Sequence, residues 1–179
     1  AQEEQKSVSA EYREEILIND FKLKSRLYFK DIEGMNVNEI EAYLRDYVQD
    51  MIASAGINVG IDDVFVTGSR ARGYEASNSD LDVIVSYTGS FPEDSMFNLL
   101  NDKDVVIGGV KVDFNPLSLD KRVSLADYLI SAEKYMDEHK DKMPLVTERI
   151  AGYGLPNKAT EDKKGIHIQD LRRTGHVRR

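Results

Sequence analysis

Two short stretches of this chain carry residue types at a spacing that suits chemistry at phosphorus. The β-branched run Val64-Phe65-Val66-Thr67 leads into Gly68-Ser69-Arg70-Ala71-Arg72-Gly73, a Gly-rich turn expected to start a helix, and ten residues then separate Ser69 from Asp80-Leu81-Asp82. With no Cβ at position 68 the backbone can approach a phosphate closely, and N–H groups at a helix start can donate to it together with the Ser69 hydroxyl. Strand alternation turns Asp80 and Asp82 to one face, about 7 Å apart along the backbone, while Leu81, Val83 and Val85 turn to the other. Two like charges on one strand repel, so the pair makes more sense as a site for hard, oxygen-loving cations than as structure. A third carboxylate, Asp113, sits in Val110-Lys111-Val112-Asp113-Phe114, where alternation sets it with Lys111. If that strand neighbours the one carrying Asp82, three acids meet. Three carboxylates can bind two Mg²⁺ ions roughly 3.5 to 4 Å apart, the arrangement that serves in-line phosphoryl displacement.

The residues around this set have two readings each. Arg70 and Arg72 have the forked donors that favour an anionic ligand, yet an exposed Arg at a helix start is ordinary. Ser79 can orient a carboxylate or end the loop, and Lys111 can pair with a neighbouring acid. His139, His167 and His176 have no partners at metal-ligand spacing and are expected at the surface.

Gly68-Ser69, the spacer, Asp80-Leu81-Asp82 and Asp113 resemble the nucleotidyltransferases of the DNA polymerase β superfamily, and the spelling is most similar to the minimal nucleotidyltransferase branch paired with HEPN toxins. The resemblance spans about residues 62–116. It implies a polymerase β-like core that binds ATP or another NTP with two Mg²⁺ (or Mn²⁺) ions and transfers NMP, AMP above all, to an acceptor hydroxyl with release of pyrophosphate. Carried over, Asp80 and Asp82 hold both metals, Asp113 binds the catalytic metal and helps deprotonate the acceptor, and Gly68 and Ser69 hold the triphosphate, with Arg70 and Arg72 as further nucleotide-binding candidates. The acceptor implied is a protein hydroxyl, as on a helical toxin. A small molecule of the aminoglycoside kind, or an inactive interaction module with the same fold, are the alternatives.

These residues need a scaffold. Ile40, Tyr43, Leu44, Tyr47, Val48, Met51, Ile52 and Ala55 recur at helical spacing and predict a helix over 38–55, opened by a capping box of Asn36 and Glu39. A second helix is expected over 125–139 behind Ser124, with Leu125, Tyr128, Leu129, Ala132, Tyr135 and Met136 on its core face. Residues 10–29 fit neither period cleanly and lean to helix. Between them stand short strands at 64–67 and 81–85, and a hairpin in which Gly108-Gly109 joins 105–107 to 110–114 before Pro116 breaks the strand. The fold class is therefore α/β or α+β, a small mixed sheet flanked by helices. Its expected division is a helical segment 1–57, a nucleotidyltransferase core 58–145 and a flexible basic tail 146–179.

At 179 residues the chain is one domain's worth, long enough to bury a core without staples. The absence of Cys excludes disulfides, thiolate metal sites and a Cys nucleophile, and makes the cytoplasm the default compartment. No apolar stretch approaches the roughly 20 residues of a membrane span. The net charge of −8 argues against a non-specific nucleic-acid binder, but it is uneven: residues 158–179 carry +4, leaving −12 on 1–157.

Overall fold

A computed structural model describes residues 2–121, 124–139 and 166–167. Two helices come first, α1 (Gln2–Tyr28) and α2 (Val37–Ser54), followed by strand β1 (Gly60–Val66) and the single turn α3 (Gly68–Ala71). Strand β2 (Leu81–Thr88) leads through α4 (Glu93–Asn101) to the hairpin β3 (Val105–Ile107) and β4 (Val110–Ser118), then to α5 (Leu125–His139). A two-residue strand, β5 (Ile166–His167), joins the far edge. The sheet order is β1-β2-β4-β3-β5, with β1 antiparallel to β2, β2 parallel to β4, β3 antiparallel to β4 and β5 parallel to β3.

Local chemistry explains most of these elements. Asn36 accepts from the Glu39 N–H at 3.0 Å while Glu39 accepts from the Asn36 N–H at 2.9 Å, so the capping box starts α2 as its sequence implies. Ser124 caps α5 by accepting from the Asp127 N–H at 3.1 Å. Gly108 and Gly109 take φ of +54° and +77°, the positive pair that a two-residue hairpin turn needs.

The register divides the sheet into two faces. Val66, Val83 and Phe114 lie on one, where Tyr47 of α2 stacks on Phe114 with ring centroids 5.8 Å apart. Phe65 and Ile84 lie on the other, where Phe21 of α1 meets Phe65 edge-on at 6.1 Å. Helices α2 and α4 therefore cover one face, and α1 with α5 the other. Side chains from α1, α2, α4, α5 and the strands join in one buried cluster that includes Phe21, Ile40, Leu44, Phe65, Tyr87 and Leu100.

Three expectations are corrected. Pro116 does not end β4, which continues to Ser118. Pairing with β3 stops at Val112, so beyond it β4 has an open edge. Phe114 uses that edge to exchange both backbone bonds with the Asn101 amide, at 3.0 and 2.9 Å, and the Ser118 N–H donates there to Glu93 at 2.9 Å. Pro116, two residues from each, turns its missing donor to the same edge, where no strand asks for it. Second, the stripe on α5 is not all core: Leu125, Leu129 and Met136 are buried, whereas Tyr128 and Tyr135 are 39% and 61% exposed. Third, α4 is an additional helix, absent from the elements expected. The weak helical lean at 10–29 is borne out by α1, whose apolar residues lie on two opposite faces and so form no single stripe. The expected flexible tail lies outside the described residues, apart from β5.

Candidate active site

Strand pairing does for the acids what sequence spacing alone could not. In the parallel register of β2 and β4, Asp82 stands directly opposite Asp113, on the sheet face that α1 and α5 cover. Asp80 precedes β2 by one residue and is exposed, while Asp82 is half-buried. The Asp82 carboxyl is pushed up to about 6, first by burial and then by the neighbouring charges of Asp113 and Asp80, with Arg70 opposing. The three carboxylates thus form one electrostatic unit, relieved in part by the Arg70 guanidinium. Among the described residues no group of three or more His, Cys, Asp or Glu side chains converges into a ready-made metal cage. The donor set itself is all carboxylate oxygen, with a mutual repulsion that Arg70 does not cancel, which is the chemistry that fits a hard divalent ion.

Gly68 faces this set. It has φ of +71°, and a Cβ built there would overlap Asp82 Oδ2. The missing side chain therefore makes room for the carboxylate as well as for any phosphate, a demand that the sequence motif does not reveal. Thr67 donates to the Asp82 carbonyl at 2.8 Å, which ties the end of β1 to the start of β2 and sets Gly68-Ser69 beside the acid. Ser69 is half-buried, and its carbonyl accepts from the Tyr74 N–H at 2.8 Å, which curls the turn back on itself.

The two arginines take different positions. Arg70 is 5% exposed and donates from Nε and Nη2 to the Ser79 carbonyl at 2.9 and 2.8 Å. Its guanidinium spans the loop that delivers Asp80. Burial lowers its pKa, while Glu75, Asp80 and Asp82 raise it. Arg72 pairs with Glu133 of α5 at 2.6 Å, and its buried Nε has no hydrogen-bond partner among the described residues. Ser79 ends the loop, accepting from the Ala76 N–H at 2.8 Å, and Lys111 pairs with Asp104 at 3.7 Å. The side chains of His139, His167 and His176 lie outside the described residues.

One residue at the site escaped the sequence reading. Tyr128 of α5 sits near Asp82, for its phenol is raised by burial and then by the Asp82 charge. Its helical spacing with Leu125 and Leu129 reads as core. No local signal distinguishes it from them, because its position depends on how α5 packs beside α3.

Comparison with known proteins finds a match to the family model of a nucleotidyltransferase domain over residues 44–153, which takes in Gly68, Ser69 and all three acids. No curated protein and no solved structure matches.

Proposed function

Because the chain belongs to the nucleotidyltransferase domain family, within the polymerase β-like superfamily, we propose that it transfers AMP from ATP to a protein hydroxyl. The observation that carries this reading is the juxtaposition of Asp82 with Asp113 across β2 and β4, beside the positive-φ Gly68. In the reaction the acceptor oxygen forms a bond to the α-phosphorus, its proton passes toward the Asp113 carboxylate, and the bond to the pyrophosphate oxygen breaks. Asp80, Asp82 and Asp113 would hold divalent cations, Mg²⁺ or Mn²⁺, which when bound neutralise the developing charge on the phosphate oxygens. Gly68 and Ser69 present the turn to the triphosphate. Arg72, held by Glu133 of α5 through Nη2, is the further nucleotide-binding candidate beside this turn. Arg70 serves the site by fixing the loop before Asp80, through the Ser79 carbonyl. Positioning and charge neutralisation then account for most of the rate, as in phosphoryl transfer generally.

The protein acceptor rests on the likeness of Gly68–Gly73 and Ser79–Asp82 to the minimal, toxin-paired branch. The test uses ATP labelled at the α-phosphate and, separately, at the γ-phosphate, with Mg²⁺ and the proteins that co-purify with this chain. Transfer of the α label alone, onto a protein band, and its loss in Asp82→Asn is the expected result. Equal labelling by native and Asp82→Asn chains would overturn the assignment of the acids, and label confined to small molecules would overturn the protein acceptor.

A further inference from the structure

Helix α1 has a second apolar face that the described residues leave exposed. Of its 27 residues, Phe21 and Ser25 turn inward and are 3% and 2% exposed. At 3.6 residues per turn, Tyr12, Ile16, Leu23 and Leu27 fall within an arc of about 60° on the opposite side. They are 64%, 49%, 55% and 78% exposed. Four large apolar side chains in one stripe are what an amphipathic helix presents to a partner.

The spacing of the stripe specifies which partner. Tyr12 and Leu23 are 11 residues apart, as are Ile16 and Leu27, and 11 residues make three turns. The pattern therefore reads alike from either end. Two copies laid antiparallel bring Tyr12 against Leu27 and Ile16 against Leu23 in one register, and each contact occurs twice about the two-fold axis. Charge reverses along the helix in the same sense. Residues 2–17 carry five acids and two bases, and residues 18–28 carry one acid and three bases. Glu15 and Arg26 are also 11 residues apart, on the same flank of the stripe. In the antiparallel pair this flank meets the same flank of the second copy and each Glu15 lies beside its Arg26, whereas in a parallel pair the flank faces the opposite one and Glu15 and Arg26 do not meet. Arg26 is exposed, and its Nε donates to Asn38 at 3.1 Å on the flank of α2, which holds the guanidinium beside the stripe.

We propose that α1 is an isologous dimerisation helix, packing antiparallel on α1 of a second copy of this chain through Tyr12, Ile16, Leu23 and Leu27. The acids of the active site lie on the sheet and are not part of this contact. Sedimentation equilibrium on the full chain, over a wide concentration range, tests it. The native chain is expected to dimerise, and Leu23→Glu to raise the dissociation constant by about a hundredfold or more, since each lost contact is met twice. Leu23 is more than half exposed, so circular dichroism should show that this variant still folds. Glu15→Arg and Arg26→Glu should each weaken the dimer by about tenfold, and the double variant should restore it to within about threefold of native. Three outcomes would overturn the proposal: a native chain that stays monomeric, a dimer indifferent to Leu23→Glu, or a double variant no tighter than the singles. The first assigns the stripe to residues 140–179 of the same chain or to a different protein, and the others to another surface or register.

Discussion

At the scale of single residues, the site is set by one missing Cβ and one crowded carboxylate. Gly68 at φ +71° lies so close to Asp82 that a methyl group would overlap Oδ2. Gly68→Ala must therefore displace Asp82 or unwind the turn, and either moves the acid from Asp113. Activity should fall by at least about a hundredfold, with a stability cost of about 1 to 3 kcal/mol for a strained backbone. Ser69→Ala, which needs no backbone change, should act mainly on KM for the nucleotide. Steady-state kinetics on the two variants separates these effects. A second half-buried acid lies outside the site. Glu41 of α2 is raised to about 7, first by burial, although it accepts from the Val66 N–H at 3.3 Å and lies near Lys22 and Arg26, with Asp63 opposing them. A carboxyl held above its unfolded value of 4.5 binds protons more tightly in the folded state. Its contribution to stability is thus complete below pH 4.5 and declines as pH rises through about 7. Glu41→Gln should flatten the stability profile in that window and leave the variant more stable than native at pH 8, on the order of 1 kcal/mol. Chemical denaturation at a series of pH values checks it.

At the scale of elements, β4 carries Asp113 and keeps one edge unpaired beyond Val112. The Asn101 side chain stands in for a neighbouring strand there, accepting from the Phe114 N–H and donating to its carbonyl. Asn101→Ala would leave both backbone groups without these partners, at a cost of about 1 to 3 kcal/mol, or roughly 3 to 10 °C in Tm for a chain of this size. Because Phe114 is next to Asp113, activity should fall more steeply with temperature in this variant than in the native chain, which differential scanning fluorimetry alongside timed assays would register. This edge also marks the limit of what sequence could reveal. Local signals were legible: Asn36 and Glu39 cap α2, Gly108-Gly109 turn the hairpin, and alternation orients Asp82 and Asp113. What sequence could not show was that β2 and β4 run side by side, since that depends on a crossover through α4, whose 9 residues are too few to repeat an apolar stripe. Pro116 misled for the same reason. Its effect depends on which edge of β4 is open, and that is a property of the sheet. Tyr128 and Tyr135 misled because helical periodicity reports a face, and the fold decides how much of that face is covered.

At the scale of the whole molecule, three of the 32 acids, Asp80, Asp82 and Asp113, stand close enough that the charges of Asp113 and Asp80 raise the Asp82 carboxyl. Holding three mutually repelling carboxylates together costs stability unless a cation arrives, so a divalent ion should act as a stabiliser of the fold as well as a participant in transfer. By mass action, ion at 10 to 100 times its dissociation constant adds about 1.4 to 2.7 kcal/mol, roughly 3 to 10 °C in Tm. Asp82→Asn removes both the repulsion and the ligand. The variant should therefore melt above the native protein in chelator at pH 8 and below it, or level with it, in excess Mg²⁺ or Mn²⁺. The crossing of the two melting curves is the diagnostic, because loss of a purely structural residue would lower both. If neither ion moved the native Tm, Asp80, Asp82 and Asp113 would be an acidic cluster without a metal, and the chain would keep the nucleotidyltransferase fold without its reaction.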